Sequence, residues 1–384
     1  KRIQKAIKLE QKIIVFGDYD VDGITGTAIL WETIYKQYKN VSPYIPDRFG
    51  EGYGLSIVGI DNLLKKYPDT KVIVTVDNGI VAYEAVKYAK KLRIDVIVTD
   101  HHVKAKDELE SYATVHTTQI CGAAVAYLFS KALTLILSQT SFGRGNENGN
   151  QKFPRPSMMG EGGGEGIIDS DEYLDLVALA TVADLVPLTG ASRAFVKFGL
   201  DALLRTQRPG LQALFNLAGI GKDKIGVYEI GHVIGPRINA SGRILSAMDS
   251  LRLLCTKKYD KAQVLAIKLD QTNKERQLLT EEFTQIACDQ CDEVKLERIS
   301  FVSHTDFNEG VIGLVASRLV ERYYKPSFVI SIGEKVSKGS ARSISGVNII
   351  EMIRSVSGHI VQAGGHPMAA GFTVETAKLE LVQK

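Results

Sequence analysis

The sequence of 384 residues lacks the features that mark several large classes of protein. Its four cysteines are scattered along the chain, which disfavours a disulfide-stabilised secreted domain and fits a reducing compartment. No apolar run reaches the roughly 18 residues of a membrane span, and the segment that begins at Lys1 has no apolar core of a signal peptide. We therefore expect a cytoplasmic protein with no membrane partner, and a chain that is a fragment of a longer one.

A surplus of charge of one sign is also missing. The 47 basic and 44 acidic residues leave a formal net charge of +3. This balance neither indicates nor excludes binding to nucleic acid, because a local basic surface can be hidden in the average. Cys288 and Cys291 form a lone CxxC with no second pair and no nearby histidine, so we expect no zinc site there. The composition is that of a globular chain, and the length predicts two or three domains.

The clearest pattern in the sequence is an apolar run that ends in acidic residues. It occurs three times: 13–16 precedes Asp18, Asp20 and Asp22, 72–76 precedes Asp77, and 96–99 precedes Asp100, His101 and His102. Segments with helical spacing separate these runs, and alternating strands and helices predict a parallel, doubly wound sheet. The carboxyl ends of such strands meet at one edge, where ligands bind. One acidic turn is ordinarily a solvated turn, but three that converge indicate a binding site.

The remaining segments predict how the chain is organised. Residues 141–170 are rich in glycine and polar residues and predict a flexible insertion, whereas 247–294 predicts two helices, the second of them long. We expect polar or glycine-rich loops over three segments: 235–243, 338–343 and 363–372. The predicted fold class is α/β, a doubly wound and mainly parallel sheet domain joined by a long helix to a second, smaller α/β domain. The corresponding boundaries are 1–245, 246–295 for the connecting helices, and 296–384.

Carboxylates and imidazoles at one sheet edge are suitable ligands for Mg²⁺ or Mn²⁺, and the imidazole favours Mn²⁺. Asp77, alone after the middle strand, is the candidate to bridge two ions. Two ions ~3.5–4 Å apart would activate a water and stabilise the leaving oxygen of a phosphoryl displacement. Asp184, near the end of a predicted apolar helix, opposes the helix dipole and so needs a partner such as a cation. His101 and His102 would point to opposite sides of an extended segment, so we do not expect both to bind the same metal ion directly. One would bind the metal, while the other reaches the substrate phosphate or a neighbouring carboxylate.

Eight segments, in order along nearly the whole chain, together resemble one known family. They are GDYDVDGITGTAIL (17–30), VTVDNGI (74–80), VTDHH (98–102), ATVADLVPL (180–188), GPRINASGRI (235–244), EGVIGLVASRL (309–319), KGSARS (338–343) and GGHPMAAGF (364–372). This set resembles the DHH phosphoesterase family and, within it, the RecJ-type single-strand-specific 5′→3′ exonucleases. The resemblance implies a DHH catalytic domain over 1–245 and a DHH-associated substrate-binding domain over 296–384, with the active site in the cleft between them.

The resemblance also implies roles for individual residues. The implied metal ligands are Asp20, Asp22, Asp77, His101 and Asp184, with Asp18 as a further candidate because Phe16 stands where many DHH enzymes carry a histidine. His102 would contact the scissile phosphate beside the catalytic Asp77 and His101. The remaining implied contacts are with the substrate: Arg48, Ser340 and Arg342 at a 5′-terminal phosphate, Arg237, Asn239 and Arg243 along the strand, and His366 near the phosphate.

The expected function is a metal-dependent exonuclease that hydrolyses single-stranded DNA from the 5′ end to 5′-mononucleotides, using two Mn²⁺ or Mg²⁺ ions. Such an enzyme belongs in DNA repair and recombination and can have repair or replication proteins as partners. Two alternatives stay open. One is a DHH-type phosphodiesterase of short oligonucleotides or cyclic dinucleotides, and the other is a relative without catalytic activity that binds DNA or a replication partner. The last usually loses metal ligands, and here the expected acids are all present.

Overall fold

The computed structural model describes residues 1–48, 50–104, 107–141, 172–221, 224–294 and 298–383. The insertion predicted over 141–170 lies, apart from Ser141, outside these described residues. The chain forms two compact units, which are Lys1–Gly242 with Ser246–Asp270, and Arg243–Leu245 with Gln271–Lys384. Each unit has its own sheet and its own core.

The first unit is built on a five-stranded sheet. Its strands are β1 (Lys12–Phe16), β2 (Val41–Tyr44), β3 (Thr70–Val76), β4 (Asp95–Asp100) and β5 (Ala113–His116). They lie in the order β2-β1-β3-β4-β5, and every neighbouring pair is parallel. Parallel sheets need helices on both faces, and the near-continuous apolar character of β1, β3 and β4 follows from that burial.

Helices cover both faces of this sheet. The first five are α1 (Arg2–Lys8), α2 (Val21–Gln37), α3 (Ile57–Lys66), α4 (Tyr83–Lys91) and α5 (Gly122–Ser141). Because successive strand residues point to opposite faces, Ile13 and Val15 pack with α1, α2 and α5, whereas Ile14 and Phe16 pack with α3 and α4. The sheet is therefore doubly wound, as the sequence predicts.

A helical layer lies beyond α2 and α5. It consists of α6 (Leu174–Ala183), α7 (Gly190–Leu204), α8 (Pro209–Leu217), a π-helical turn (Glu229–Ile234), α9 (Gly235–Ile244), α10 (Met248–Cys255) and α11 (Tyr259–Val294). Residues 174–182 of α6 are all buried, as expected for a helix that is apolar on every side. The 36 residues of α11 begin in the first unit and end in the second, which confirms the predicted long connecting helix.

The second unit has a mixed sheet. Its elements are β6 (Ser300–His304), α12 (Ile312–Tyr323), β7 (Ser327–Ser331), β8 (Val336–Arg342), α13 (Ile349–Ser355), β9 (Ile360–His366), β10 (Ala369–Glu375) and α14 (Leu379–Gln383), with 3₁₀ turns at Ser357–His359 and Thr376–Lys378. The strand order is β6-β7-β8-β10-β9, and only β6 and β7 are parallel. One face packs on α11 and α12, and the other on α13.

The predicted fold class is confirmed. Among the described helices, none has both the length and the apolar character that a membrane crossing requires.

Three predicted loops are regular structure instead. The segment 235–243 lies in helix α9, which continues without a break from the π-helical turn, so Pro236 lies where the helical hydrogen-bond pattern changes. The segment 338–343 lies largely in β8, which is paired on both sides by β7 and β10. Gly339 there leaves room for the Phe372 ring, since a Cβ at that position would lie 2.1 Å from its Cζ. The segment 363–372 forms the hairpin of β9 and β10.

A buried ion-pair network ties α2 to the helical layer. Both Nη atoms of Arg208 donate to the Glu32 carboxylate at 3.1 Å, and Nη1 also donates to the Leu254 carbonyl at 3.1 Å. The Arg208 Nε lies 3.4 Å from Asp175 Oδ2, whose carboxylate also accepts from Thr206. Removing one partner of such a group leaves an uncompensated buried charge, which is costly.

We predict that Glu32→Ala lowers the free energy of unfolding by roughly 3 kcal/mol, because Arg208 then loses its bidentate partner. Urea denaturation followed by circular dichroism measures the change. Glu84→Ala is the matched control, since Glu84 is 80% exposed in its pair with Lys87, and such pairs contribute about 0.5 kcal/mol. Equal losses in the two variants would contradict a structural role for the network.

Candidate metal centre

The carboxyl ends of the central strands are aligned at one edge of the first sheet. Phe16 at the end of β1 is paired with Thr75, Val76 at the end of β3 with Thr99, and Asp100 at the end of β4 with His116. The residues that follow these strands therefore leave the sheet at the same level. The fold brings the three acidic segments together, as the sequence predicts.

The segment from Asp18 to Asp22 forms the turn between β1 and α2. Asp20 is the N-cap of α2, and its Oδ1 accepts from the Gly23 amide at 3.0 Å. Asp22 lies in the first helical turn, where the positive end of the helix dipole favours a carboxylate. Its two oxygens accept from the Gly122 and Ala123 amides at the start of α5, each at 2.6 Å. Burial and the charge of Asp20 nevertheless raise the pKa of Asp22 to about 6.

Asp77 occupies an unusual backbone conformation directly after β3. Its φ is +64°, in the left-handed region, and its side chain is buried. Gly122 packs against this side chain, because a Cβ there would lie 2.6 Å from Asp77 Oδ1 and 2.7 Å from Asp77 Cβ. Burial raises the pKa of Asp77 well above its usual value, and the charge of Asp22 and other carboxylates adds to the effect. The position therefore disfavours the charged form of Asp77 unless a positive charge lies nearby.

His101 and His102 lie beside Asp77 with their ring centroids 4.6 Å apart. The expectation that the two rings point to opposite sides is wrong, because β4 ends at Asp100 and the alternation of a strand does not continue beyond it. The His101 Nε2 lies 3.1 Å from Asp77 Oδ1. Burial, with the neighbouring His102, lowers the pKa of His101 to about 4, so this ring is neutral at pH 7, the form that binds metal ions.

Asp100 fixes the orientation of His102. Its Oδ1 accepts from the His101 and His102 amides at 2.7 and 3.1 Å and lies 2.8 Å from His102 Nδ1. Burial alone lowers the pKa of His102, but the Asp100 carboxylate outweighs it and raises that pKa. The other ring nitrogen, Nε2, lies 3.1 Å from the Tyr53 hydroxyl. His102 is therefore held as a donor that points away from its carboxylate partner.

Asp184 reaches the same place from the helical layer. It is the C-cap of α6, and its Oδ2 lies 3.6 Å from His101 Nε2. Burial and the charge of Asp22 raise its pKa to about 8. A carboxylate at a helix C-terminus opposes the dipole, so the position is unfavourable unless positive charge is nearby.

The described residues suit divalent metal ions. Their ligand atoms form three groups: Asp22–His101–Asp184, Asp77–His101–His102 and Asp18–Asp20–Asp77, with the atoms of each group within 4.8 Å of one another. Within the described residues, the Asp18 oxygens are buried and have no hydrogen-bond partner, and Asp77 Oδ1 and His101 Nε2, although 3.1 Å apart, make no hydrogen bond of regular geometry. Buried polar atoms are normally paired, so these orphaned atoms fit a cation. Asp77 belongs to two of the groups, which suits the bridging position predicted for it.

The position of the missing histidine is filled by an aromatic ring. Phe16 is fully buried and stacks on Tyr44 with ring centroids 5.3 Å apart, so it offers no ligand. Asp18 lies two residues further along, almost completely buried, and burial with the charge of Asp20 raises its pKa well above the usual value. Asp18 is thus the residue near this end of the site that most needs a cation.

The other predicted site residues of the first unit surround this cluster or support it. The Arg48 guanidinium lies over the Tyr19 ring, 5.1 Å from its centroid, and its charge lowers the pKa of Asp18 against the effect of burial. Arg237 donates to Asp270 at 2.9 Å and to a backbone carbonyl at 2.8 Å. Asn239 accepts from a backbone amide of the acidic turn at 2.9 Å.

The second unit carries four predicted substrate residues. Ser340 and Arg342 lie on β8 beside the N-terminal turn of α12, where Arg342 Nη1 donates to Ser340 Oγ at 3.2 Å. Gly313 leaves space there, because a Cβ at that position would lie 2.9 Å from Arg342 Nη2 and 3.0 Å from Ser340 Oγ. His366 ends β9 and is exposed. Arg243, assigned to this unit, donates to the Gly310 carbonyl at 3.3 Å.

Three contributors to the centre have weak signals in the sequence. Asp100 is visible in the DHH run, but its role in orienting His102 is evident only from the distances. Tyr53 lies in the segment DRFGEGYGLS, where an aromatic residue indicates no particular contact. Gly122 looks like any small residue at a helix start, and only its contact with Asp77 identifies it.

Comparison with protein families gives two matches. The DHH family N-terminal domain matches residues 12–155, and the DHHA1 domain matches residues 294–384. The strand order of the first sheet, its acidic edge and the sequence motifs all agree with these matches. Together they define a protein of the DHH class.

Comparison with individual proteins narrows this class to one family. The chain is 36% identical over 386 residues to the single-stranded-DNA-specific exonuclease RecJ of Bacillus subtilis, covering 97% of this chain and 45% of that protein. With the RecJ of Escherichia coli the identity is 31%, covering all of this chain and 67% of that protein. The chain belongs to the RecJ family, which confirms the resemblance. It spans about half to two thirds of the length of these relatives.

Solved structures of RecJ proteins have the same fold as this chain. RecJ from Thermus thermophilus in complex with Mn²⁺ superposes with a TM-score of 0.81 at 30% identity, over all of this chain and 52% of that one. An exonuclease RecJ bound to manganese gives 0.80 at 31% identity, over all of this chain and 90% of that one.

We predict that Asp77→Asn stabilises the metal-free protein, because it removes one buried carboxylate from a repelling group while asparagine tolerates the left-handed backbone. Carboxyl groups with raised pKa values make the metal-free fold lose stability as the pH rises from about 4 to about 8. In thermal unfolding with EDTA, the free energy of unfolding of Asp77→Asn should exceed that of the wild type by about 1 kcal/mol at pH 8. This difference should shrink towards pH 5. If Asp77→Asn is no more stable than the wild type at pH 8, the repulsion at Asp77 is already relieved and the prediction is wrong.

We predict that Gly122→Ala weakens metal binding, since the added Cβ displaces Asp77 from the position that Gly122 allows. The measurement is the rise in melting temperature on adding Mn²⁺, which should be smaller than in the wild type. Gly231→Ala is the matched control, because a Cβ there meets only Val182 at 3.8 Å. The contact with Asp77 is unimportant if both variants show the full rise.

Proposed function

We propose that this chain is a metal-dependent exonuclease that hydrolyses single-stranded DNA from the 5′ end and releases 5′-mononucleotides, in DNA repair and recombination. The observation that carries the proposal is the set of buried carboxylate and imidazole atoms without internal partners at the sheet edge. Relatives named single-stranded-DNA-specific exonuclease, at 31–36% identity, support the choice of substrate. Protein partners from repair or replication are consistent with this role.

The residues that would hold two ions, Mn²⁺ or Mg²⁺, are Asp18, Asp20, Asp22, Asp77, His101 and Asp184. When bound, such ions lower the pKa of a water and neutralise charge on the phosphate. The chain itself supplies a neutral His101 and a fixed group of carboxylates. Asp77 belongs to two of the three groups of candidate ligands, so it is best placed to be a ligand of both ions.

His102 would hold the scissile phosphate. The Asp100 carboxylate at Nδ1 raises the pKa of this ring, which favours the protonated form with an N–H on Nε2. That N–H lies near the Tyr53 hydroxyl, 3.1 Å away. A phosphate oxygen that replaces this contact would receive a charge-assisted hydrogen bond, while Asp100 keeps the ring in place.

The 5′-terminal phosphate would be held by Ser340, Arg342 and the N-terminal turn of α12. A guanidinium, a hydroxyl and backbone amides are the groups that bind phosphate, and Gly313 keeps the space between them open. Arg48 would add a further positive charge, His366 would act near the phosphate, and Arg237 and Arg243 would lie along the strand. A terminal-phosphate site of this kind explains why cleavage begins at an end.

The test uses a single strand labelled at its 5′ end, incubated with Mn²⁺. Labelled mononucleotide should be the first product, and Asp184→Asn should reduce the rate by roughly a hundredfold or more, as loss of a group that stabilises the transition state does. Glu84→Ala, whose side chain is exposed on α4, serves as the control with an unchanged rate. The proposal is wrong if long strands resist cleavage while dinucleotides or cyclic dinucleotides are hydrolysed, which is the result expected of a short-substrate phosphodiesterase.

A further inference from the structure

The amide at the start of α2 has a partner far away in the sequence. Val21 is the first residue of α2, so its N–H has no acceptor within the helix. The Asn239 side-chain oxygen, on α9, accepts from it at 2.9 Å. Val21 is almost completely buried, and a buried amide without a partner is costly. Asn239 therefore completes the capping of α2 together with Asp20.

A second residue of α9 contacts the other side of Asp20. Gly242 lies three positions after Asn239 and so on the same helix face. A Cβ at Gly242 would lie 2.4 Å from the Tyr19 carbonyl oxygen and 3.0 Å from Tyr19 Cβ. Helix α9 thus touches the residue before Asp20 and the residue after it.

Helix α9 is itself held firmly. The Ile238 carbonyl accepts from the Ser241 and Ser250 hydroxyls at 3.0 and 2.9 Å, and these two hydroxyls lie 2.7 Å apart. Arg237 is paired with Asp270 at 2.9 Å. The Asn239 carbonyl group is therefore presented to the acidic turn from a rigid support.

We propose that Asn239 is a positioning residue for the metal ligand Asp20, and that this is its main role rather than a contact with the DNA strand. Asp20 uses Oδ1 to cap Gly23, so the direction of its other oxygen depends on the backbone of residues 19–21. Asn239 and Gly242 fix that backbone. Asp20 forms one group of candidate ligands with Asp18 and Asp77, so the backbone that Asn239 and Gly242 fix also sets where Asp20 offers its ligand atom. The inference rests on the proposed function, because it requires Asp20 to bind a metal ion.

The experiment measures the affinity of the whole substrate-free chain for Mn²⁺ by calorimetry. Asn239→Ala should weaken binding roughly 10- to 100-fold, the usual effect of removing a residue that orients a metal ligand. Asn348→Ala is the matched control, because Asn348 also caps a helix by accepting from an amide, that of Glu351 at 3.4 Å, but lies in the second unit. Its affinity for Mn²⁺ should equal that of the wild type.

A conservative variant separates the two roles of an asparagine. Asn239→Asp keeps an oxygen that accepts from Val21, loses the amide donor and adds a negative charge that attracts a cation, so its affinity for Mn²⁺ should be at least that of the wild type. Amide hydrogen exchange gives an independent readout, because the Val21 N–H should lose protection in Asn239→Ala and keep it in Asn239→Asp. If Asn239→Ala does not fold, Asn239→Asp and its Mn²⁺ affinity decide the question.

The results that overturn the inference are distinct from those that overturn the function. If Asn239→Ala binds Mn²⁺ as the wild type does and only the KM for single-stranded DNA rises, Asn239 contacts the strand and the inference is wrong. A loss of Mn²⁺ affinity in Asn239→Asp would also contradict it. Failure of the wild type to bind Mn²⁺ would instead count against the proposed function.

Discussion

Repulsion among buried carboxylates is the constraint on which the site depends. Several acidic side chains share one small region of low dielectric, and burial together with mutual repulsion raises the pKa values of four of them, Asp18, Asp22, Asp77 and Asp184. Some of their oxygens have no hydrogen-bond partner among the described residues. A protein keeps such an arrangement only if something else compensates the charge, and divalent cations do so most directly. The acidic cluster is therefore an unfavourable arrangement that the binding of cations would complete.

The fold holds these charges together by rigid means. Parallel pairing places the strand ends at one level, and two helix N-termini hold carboxylates with their amides, α5 holding Asp22 and α2 holding Asp20. Glycines allow the close approach. A Cβ at Gly23 would lie 2.6 Å from Asp18 Cβ, and Gly122 makes the equivalent contact with Asp77. Because backbone and packed helices set the positions, the side chains cannot move apart to relieve their repulsion.

The sequence predicts the part of this arrangement that follows from periodicity. Apolar β-branched runs before acids predicted the parallel sheet and the acidic edge, because strand direction alone determines where the ends meet. It did not predict contacts between distant segments. Asn239 looked like a residue of a basic loop, yet it lies on a helix and caps Val21, 218 positions away. Likewise, the sequence of β8 resembles that of a loop. Its pairing with β7 and β10 makes it a strand, and those partners lie elsewhere in the sequence. The predicted roles of Arg48 and His366 depend on substrate and stay predictions.

The most direct measurement is the anomalous diffraction of Mn²⁺ in crystals of the chain soaked with the metal. The account predicts two peaks close to Asp77, one of them also next to His101 and the other next to Asp18. A single site elsewhere on the surface, or no peak near Asp77 at millimolar Mn²⁺, would contradict the view that this acidic edge exists to bind metal ions.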